Sequence, residues 1–259
     1  MNILDKIIAH KRIEVEQRKA VTSMAELEQS PSYGRTVLSL KQFLLDDSKT
    51  GIIAEFKRKS PSKGIINGNA DVVEVTSAYA KYGASGLSVL TDETFFGGST
   101  EDLIKARVNN IPLLRKDFIV DEYQIAEAKA MGADVILLIA ACLTPVEVKR
   151  LAQFANSLQL EVLLELHDEE ELVHICDETV LVGINNRNLK TFAVDIERSL
   201  AMAKRIPAGK VKIAESGISS PENIRLFKAH GFRGFLIGEN FMKEANPAGA
   251  FEQFVKALD

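Results

Sequence analysis

The sequence predicts an α/β protein: a closed (β/α)8 TIM barrel with an N-terminal helical extension. After residue 50, eight short apolar runs alternate with eight amphipathic helical patterns, and the connections between them are short. Continuous apolar strands of this kind are typical of a parallel sheet that is covered by helices. The length of 259 residues also suits such a barrel. The alternative is an open doubly wound sheet, although no GxGxxG motif follows the first strand.

The eight predicted strands are the apolar runs 52–57, 86–91, 112–117, 134–139, 161–166, 181–186, 211–216 and 234–238. Several helices begin at capping signals, such as Thr144 before Pro145 and Ser220 before Pro221. Others end at a glycine, which is common at a helix C-terminus. The predicted helices are 71–83, 100–108, 121–131, 144–157, 168–177, 195–205, 220–230 and 247–258.

Residues 1–50 do not follow the strand–helix repeat. Apolar residues between positions 3 and 8 share one helical stripe, and a second short helix is predicted near Leu40–Leu45. We therefore predict one barrel domain, 1–259, with 1–50 as its helical extension. The extension either covers one mouth of the barrel and completes the site, or it is a plain packing helix.

Charge and hydrophobicity limit the partners of this protein. A formal net charge of −4 argues against a nucleic-acid-binding protein. The N-terminus lacks the apolar region of a signal peptide, and no stretch approaches the roughly 18 apolar residues of a membrane helix. We therefore expect a cytoplasmic protein that acts on a small molecule and binds neither nucleic acid nor membrane. We also expect a monomer, since nothing in the sequence indicates an unusual apolar surface.

Cysteine and histidine usage predicts no metal site. Cys142 and Cys176 are the only cysteines and form no CxxC motif, which argues against a disulfide framework or a thiolate site. The four histidines lack metal-ligand spacing and are predicted to be ordinary helix or loop residues. Only His167 lies near the site predicted below.

The segment IIAEFKRKSPSKG (52–64) is the most informative part of the chain. A strand ends in Glu55 and Lys57, and four of the eight residues from Lys57 to Gly64 are Lys or Arg. A local positive patch on an acidic protein indicates a small anionic ligand, and the polar, glycine-containing loop could act as a lid. The alternative interpretation is a surface ion pair followed by a solvated basic loop.

Polar residues recur where the other strands end. In this fold the active site lies at the carboxyl ends of the strands, and every second side chain faces the barrel interior. That register brings seven polar residues to one mouth, which predicts a functional pocket rather than packing. They are Glu55, Lys57, Lys116, Glu165, Asn185, Arg187 and Glu215.

The turns after the last two strands suit a phosphate group. They contain Ser216 and Gly217 after strand seven and Gly238 after strand eight, where a short helix is expected to begin. Two aromatic residues, Phe96 after strand two and Phe118 after strand three, fit either core packing or stacking on an aromatic substrate.

Together these motifs resemble the indole-3-glycerol-phosphate synthase family. The resemblance covers residues 1 to 258 and is carried by AEFKRKSPSKG, LRKDFIVDEYQI, GINNRNL, AESGI and FLIGENFM. It implies conversion of 1-(2-carboxyphenylamino)-1-deoxyribulose 5-phosphate to indole-3-glycerol phosphate in tryptophan biosynthesis. Carbon dioxide and water are released, with neither a metal nor an organic cofactor.

The same resemblance implies roles for individual residues. Lys116 matches a general acid on the substrate carbonyl, and Glu165 matches a group in acid/base steps. Lys57 matches a lysine that holds substrate and aids dehydration, and Glu55 a glutamate that orients the lysines. The remaining matches are substrate-contacting positions: Asn185, Arg187, Glu215, Ser60, Ser216, Gly217 and Gly238.

One position departs from part of the family. Glu239 stands where some members have a serine whose hydroxyl can bind phosphate. Because a carboxylate repels phosphate, we expect the backbone N–H of Glu239 to contact the ligand while its side chain turns away.

Two other functions stay open at this point. One is a different phosphosugar enzyme on the same barrel, such as a Schiff-base aldolase or a sugar-phosphate isomerase. The other is a catalytically silent protein that binds a phosphorylated ligand.

Overall fold

A computed structural model of the chain describes residues 3–188 and 193–258. Residues 1–2, 189–192 and 259, which belong to the predicted domain, lie outside the described residues, as does Leu189 of the GINNRNL motif. Eight parallel strands form a closed barrel in which each strand pairs with its neighbours in the sequence and the last pairs with the first. The predicted TIM barrel is confirmed, and the open sheet is excluded.

The strands lie within a few residues of their predicted positions. They are β1 (Ile52–Phe56), β2 (Gly86–Leu90), β3 (Leu113–Lys116), β4 (Val135–Ile139), β5 (Glu161–Leu166), β6 (Leu181–Asn185), β7 (Val211–Glu215) and β8 (Phe232–Ile237). A two-stranded hairpin, Lys59–Ser60 with Gly64–Ile65, follows β1 and forms part of the basic loop.

The barrel is surrounded by helices. They are α1 (Ile3–Val21), α2 (Met24–Glu28), α3 (Leu40–Leu45), α4 (Val72–Lys81), α5 (Glu93–Phe96), α6 (Thr100–Ala106), α7 (Glu122–Met131), α8 (Pro145–Ser157), α9 (Ile196–Ala203), α10 (Pro221–Ala229), α11 (Glu239–Met242) and α12 (Pro247–Lys256). Within the described ranges, none of these helices combines the length and apolarity needed to cross a bilayer. The helix expected directly after β8 is present as α11.

The α-helix predicted over 168–177 is wrong in type, because Glu169–His174 forms a 3₁₀ turn. The Glu171 carboxylate accepts a 2.6 Å hydrogen bond from the backbone N–H of His167. The His174 ring lies 2.9 Å from the carbonyl oxygen of Leu143. These contacts hold the turn against the end of β5 and against the segment after β4. The short helices α2 and α5 are not predicted, since one turn is too short to show an apolar period.

Successive side chains of each strand point alternately out of and into the barrel, which divides the apolar core into an outer and an inner cluster. In β1, Ile52, Ala54 and Phe56 pack outward against the helices, whereas Ile53 belongs to a second cluster inside the barrel. That inner cluster also includes Leu114, Leu137, Leu163, Ile213 and Leu236. Residues two positions further along these strands share the inner face, so they reach the carboxyl mouth.

The helix α3 plugs the opposite, amino mouth of the barrel. Leu40 and Leu44 join the inner apolar cluster. A Cβ atom at Gly86 would lie 2.7 Å from Leu40 Cδ1, so the glycine makes room for this helix. The Ser39 hydroxyl also donates a hydrogen bond to Glu161 at the start of β5. The extension therefore covers a mouth, but not the one that carries the predicted site.

The helix α1 packs beside the carboxyl mouth instead. Lys11 is buried, and its Nζ lies 3.0 Å from both Asp92 Oδ2 and Asp117 Oδ1, which follow β2 and β3. Val15 packs with Tyr123 of α7 in a small apolar cluster. The N-terminal extension thus contacts the loops of the carboxyl mouth through α1 and closes the amino mouth through α3. The assignment of all residues to one domain stays a prediction.

Candidate active site

Lys116 lies between two carboxylates at the carboxyl mouth. Its Nζ is 2.8 Å from Glu165 Oε2 and 3.1 Å from Glu215 Oε2. Lys116 and Glu215 end β3 and β7, and Glu165 is the penultimate residue of β5. All three lie on the inner face of the barrel, as the strand register predicts. The Lys116 side chain is 15% exposed, and both carboxylates are buried. Because these groups are largely shielded from water, the charge state of each depends strongly on the charges of the other two.

Burial and mutual attraction give the three groups different proton affinities. Burial alone would lower the pKa of Lys116, but Glu165 and Glu215 outweigh it and raise that pKa. Burial, reinforced by the nearby Glu165, raises the pKa of Glu215 to about 7 although Lys116 opposes the change. The pKa of Glu165 falls well below its usual range despite burial, because Lys116 and His167 stabilise its charged form. The site thus holds an ammonium, a carboxylate and a carboxyl group that titrates near neutrality.

Gly183 of β6 makes room for Glu215. A Cβ atom at Gly183 would lie 2.1 Å from Glu215 Oε1, far closer than van der Waals contact allows. This oxygen is buried, and no donor in residues 3–188 or 193–258 bonds to it. Oε1 therefore packs against the Cα atom of the glycine. In this apolar contact the neutral form of the Glu215 carboxyl costs less free energy than a charged form beside the charged Glu165.

The other oxygen of Glu165 accepts one hydrogen bond and lies in ion-pair contact with a histidine ring. Asn185 Nδ2 donates to Oε1 at 2.9 Å, and His167 Nε2 lies 3.0 Å from the same atom. Asn185 is held in turn by the backbone N–H of Arg187, which donates to its Oδ1 at 3.0 Å. His167 is therefore not an ordinary loop residue. Its spacing of two from Glu165, which puts both side chains on one face, is the signal for this contact in the sequence.

Glu55 and Lys57 form an ion pair inside the mouth rather than on the outer surface. Lys57 Nζ donates to Glu55 Oε1 at 2.7 Å, and the Ser88 hydroxyl donates to Oε2 at 3.3 Å. A Cβ atom at Gly238 would lie 2.6 Å from Glu55 Oε1. The turn after β8 therefore packs directly on this pair, and the glycine is what permits the approach.

The turn after β7 has an unusual backbone. Ser216 and Gly217 are consecutive residues with positive φ, 66° and 70°. A Cβ atom at Gly217 would lie 2.4 Å from Val194 Cγ1, and Asn186 Nδ2 donates to the Ser216 carbonyl at 2.7 Å. Because β7 pairs with β8, this turn lies beside the one at Gly238. The two predicted phosphate turns are thus neighbours.

Glu239 lies between two cations at the rim of the mouth. Its carboxylate oxygens are 3.3 Å from Arg187 Nη2 and 3.6 Å from Lys63 Nζ. The side chain thereby links the basic loop after β1 to the segment after β6. Whether its backbone N–H contacts a phosphate stays a prediction, but its charge is compensated by Lys63 and Arg187.

The basic loop divides its cations between two tasks. Arg58 forms an ion pair with Asp102, and Lys59 Nζ donates to the Thr94 carbonyl at 3.1 Å, so these two residues fasten the loop to the barrel. Lys57 and Lys63 contact carboxylates of the mouth instead.

Ser60 and the two aromatic residues line the same side of the barrel. The Ser60 hydroxyl accepts a 3.3 Å hydrogen bond from the Lys63 N–H within the hairpin. Phe96 and Phe118 are half-buried, with ring centroids 5.9 Å apart. The rings pack on each other and stay partly exposed, and their stacking on an aromatic substrate stays a prediction. In the part of the chain that the structure describes, no three His, Cys, Asp or Glu residues are grouped to hold a metal ion.

Comparison with known proteins decides the family. Residues 4–254 match the family described as "Indole-3-glycerol phosphate synthase". The chain belongs to this family. A protein of that name from Bacteroides thetaiotaomicron is 48% identical over 258 residues, which cover 99% of each chain. Another from Bordetella pertussis is 45% identical and covers 95% of this chain and 96% of its own. The family predicted from the motifs is confirmed.

Solved structures of tryptophan synthase alpha subunits share the barrel. The Legionella pneumophila subunit has a TM-score of 0.62 at 13% identity, covering 86% of this chain and 97% of its own. A mutant Pyrococcus furiosus subunit has a TM-score of 0.60 at 17% identity, covering 80% and 97%. At such identities the likeness establishes the fold alone.

Proposed function

We propose that this protein is a carboxy-lyase of tryptophan biosynthesis, an indole-3-glycerol-phosphate synthase. Its substrate is 1-(2-carboxyphenylamino)-1-deoxyribulose 5-phosphate. The observation that carries the proposal is the position of Lys116, 2.8 Å from Glu165 and 3.1 Å from Glu215 at the mouth of a barrel of this family. The reaction needs an acid at a carbonyl oxygen and a base close to it, and this trio supplies both.

In the ring-closing step, the aromatic carbon that bears the carboxylate attacks the substrate carbonyl carbon. The carbonyl oxygen takes a proton from Lys116, whose raised pKa keeps it charged until then. The bond to the carboxylate then breaks, and carbon dioxide leaves while its electron pair stays in the new ring. Glu165 and Asn185 hold Lys116 and the reacting groups in place.

Dehydration completes the indole ring. The hydroxyl made in the first step leaves as water after protonation by Lys57, which Glu55 orients at 2.7 Å. The methylene carbon beside the ring nitrogen gives a proton to Glu165, and the electron pair of that C–H bond forms the ring double bond, so the indole nitrogen keeps its hydrogen. Binding of the substrate phosphate is assigned to the neighbouring turns at Ser216–Gly217 and Gly238, with Arg187 and Lys63 supplying charge at the rim. Ser60, Glu215, Glu239, Phe96 and Phe118 complete the proposed substrate contacts.

The proposal is tested by turnover. The purified protein is incubated with the anthranilate-derived substrate in buffer containing a metal chelator, and indole fluorescence and released carbon dioxide are followed together. We expect both products to appear in equal amounts. Turnover excludes the alternative of a catalytically silent binding protein. If no product forms and borohydride traps the substrate on Lys116 or Lys57, the result favours a Schiff-base aldolase. A cytoplasmic location and a monomeric state belong to the same proposal, and light scattering tests the second.

Replacing Gly183 tests whether the position of Glu215 matters. We expect Gly183→Ala to lower kcat/KM roughly 100-fold, because the added methyl group displaces Glu215 and with it Lys116. Initial rates with the same substrate measure the loss. Gly34→Ala is the matched control, since a Cβ atom there meets nothing within 4 Å. Full activity in Gly183→Ala, or an equal loss in Gly34→Ala, would show that crowding at Glu215 is unimportant.

A further inference from the structure

His167 lies between two carboxylates at the edge of the site. It is 3% exposed. Its Nε2 is 3.0 Å from Glu165 Oε1, and its Nδ1 is 3.8 Å from Glu171 Oε2. The same Glu171 oxygen accepts the His167 backbone N–H at 2.6 Å. Strand β5 and the following 3₁₀ turn thus supply an acidic group on each side of the ring.

The groups around this ring favour its charged form. Cys142, from the turn after β4, is a third titratable group beside Glu165 and Glu171. Burial and the charges of Glu165, Glu171 and Asp5 of α1 raise the pKa of its thiol, so it stays neutral. Beyond Glu165 stand Lys116, Asn185 and Glu215. Burial alone would lower the pKa of His167, but Glu165 and Glu171 outweigh it and raise the pKa to about 9. His167 is therefore an imidazolium at neutral pH.

A second cation solves a difficulty in the proposed reaction. Lys116 is shared by Glu165 and Glu215, and it loses its charge when it gives a proton to the substrate carbonyl. At that moment Glu165 would be a buried carboxylate without a cation and would compete for the proton. An imidazolium 3.0 Å from its other oxygen removes that competition.

We propose that His167 is a positioning residue that keeps Glu165 ionised and oriented while Lys116 donates its proton to the substrate. Glu171 holds the imidazolium in turn. The inference rests on the proposed function, since it assigns His167 a part in that reaction. The role is local: His167 acts through Glu165 and does not itself touch the reacting atoms.

Substituting His167 tests this role through kinetics. We expect His167→Asn to lower kcat roughly tenfold with a smaller change in KM, because Glu165 keeps Lys116 and Asn185 but loses a cationic neighbour. In the wild-type protein we expect kcat to fall as pH rises through about 9, where the imidazolium loses its proton. That alkaline limb should be absent in His167→Asn. The matched control is His230→Asn, at an exposed histidine, which should keep the wild-type profile.

A second variant keeps the test decisive if His167→Asn does not fold. Glu171→Gln retains an oxygen for the His167 backbone N–H but removes the outer charge. We expect its alkaline limb to move to lower pH, because the His167 pKa falls without that carboxylate. Titration of the histidine rings by NMR in both proteins reads the same change directly.

The outcomes separate the two proposals. The role of His167 is overturned, and the proposed function is kept, if the wild-type protein is active and one of two results is found. The first is a pH profile of His167→Asn that matches wild type, and the second is an alkaline limb of Glu171→Gln at the wild-type pH. A wild-type His167 that titrates below pH 7 by NMR also overturns that role. Wild-type protein that forms no indole product overturns the proposed function, and the role of His167 in it.

Discussion

Glu165→Gln and Lys116→Ala should each lower kcat about 10²- to 10⁴-fold, with much smaller changes in KM. Glutamine keeps the shape of Glu165 but cannot accept the proton released in the dehydration step. Alanine at position 116 removes the acid and leaves Glu165 and Glu215 facing each other without the cation between them. Steady-state fluorescence assays of product formation measure both constants.

The control for this pair is Glu169→Gln. Glu169 is exposed just beyond β5 and pairs on the surface with Arg205, so its loss should leave kcat unchanged. Thermal unfolding of each variant separates a chemical defect from a folding defect. If Glu165→Gln and Lys116→Ala both kept the wild-type kcat, the roles assigned to Glu165 and Lys116 would be wrong, even though the protein would still be an active synthase.

Strand register explains why much of this site could be predicted. A side-chain period of two makes Lys116 share a face with Leu114, and Glu165 with Leu163. Once the barrel is predicted, its eight carboxyl ends must meet at one mouth, and polar residues there come together whatever the loops do. The short distances around Lys116 follow from this geometry.

The contacts that could not be predicted depend on long-range neighbours. The pairing of Glu239 with Arg187 and Lys63 joins the start of α11 to two loops whose paths no periodicity describes. The position of α3 in the amino mouth depends on glycines such as Gly86, whose missing side chain makes space for Leu40. A pattern along the chain identifies an apolar helix face but not the surface that the face will cover.

Loss of the buried residue Lys11 should strongly destabilise the protein. We expect Lys11→Met to lower the free energy of unfolding by about 3–5 kcal/mol, because Asp92 and Asp117 stay buried without this cation. Burial alone would lower the pKa of Lys11, but Asp117 and Asp92 outweigh it and raise that pKa, so the lysine is charged at neutral pH. Urea unfolding measures the change, and Lys19→Met is the control on the same helix. Its partner Asp121 is exposed enough that about 0–1 kcal/mol is expected.

The pH dependence of the stability difference between wild type and Lys11→Met identifies the cause of that difference. Burial would raise the pKa of Asp117, but Arg115 and Lys11 lower it to about 2, below the ordinary value of 3.8. A depressed carboxyl pKa contributes stability above pH 3.8 that is lost as pH falls through 2. The gap between wild type and Lys11→Met should therefore be full at neutral pH and shrink as pH falls from about 4 towards 2. A gap that is independent of pH would mean that the methionine disturbs packing and that the pairing of Lys11 with Asp117 contributes little.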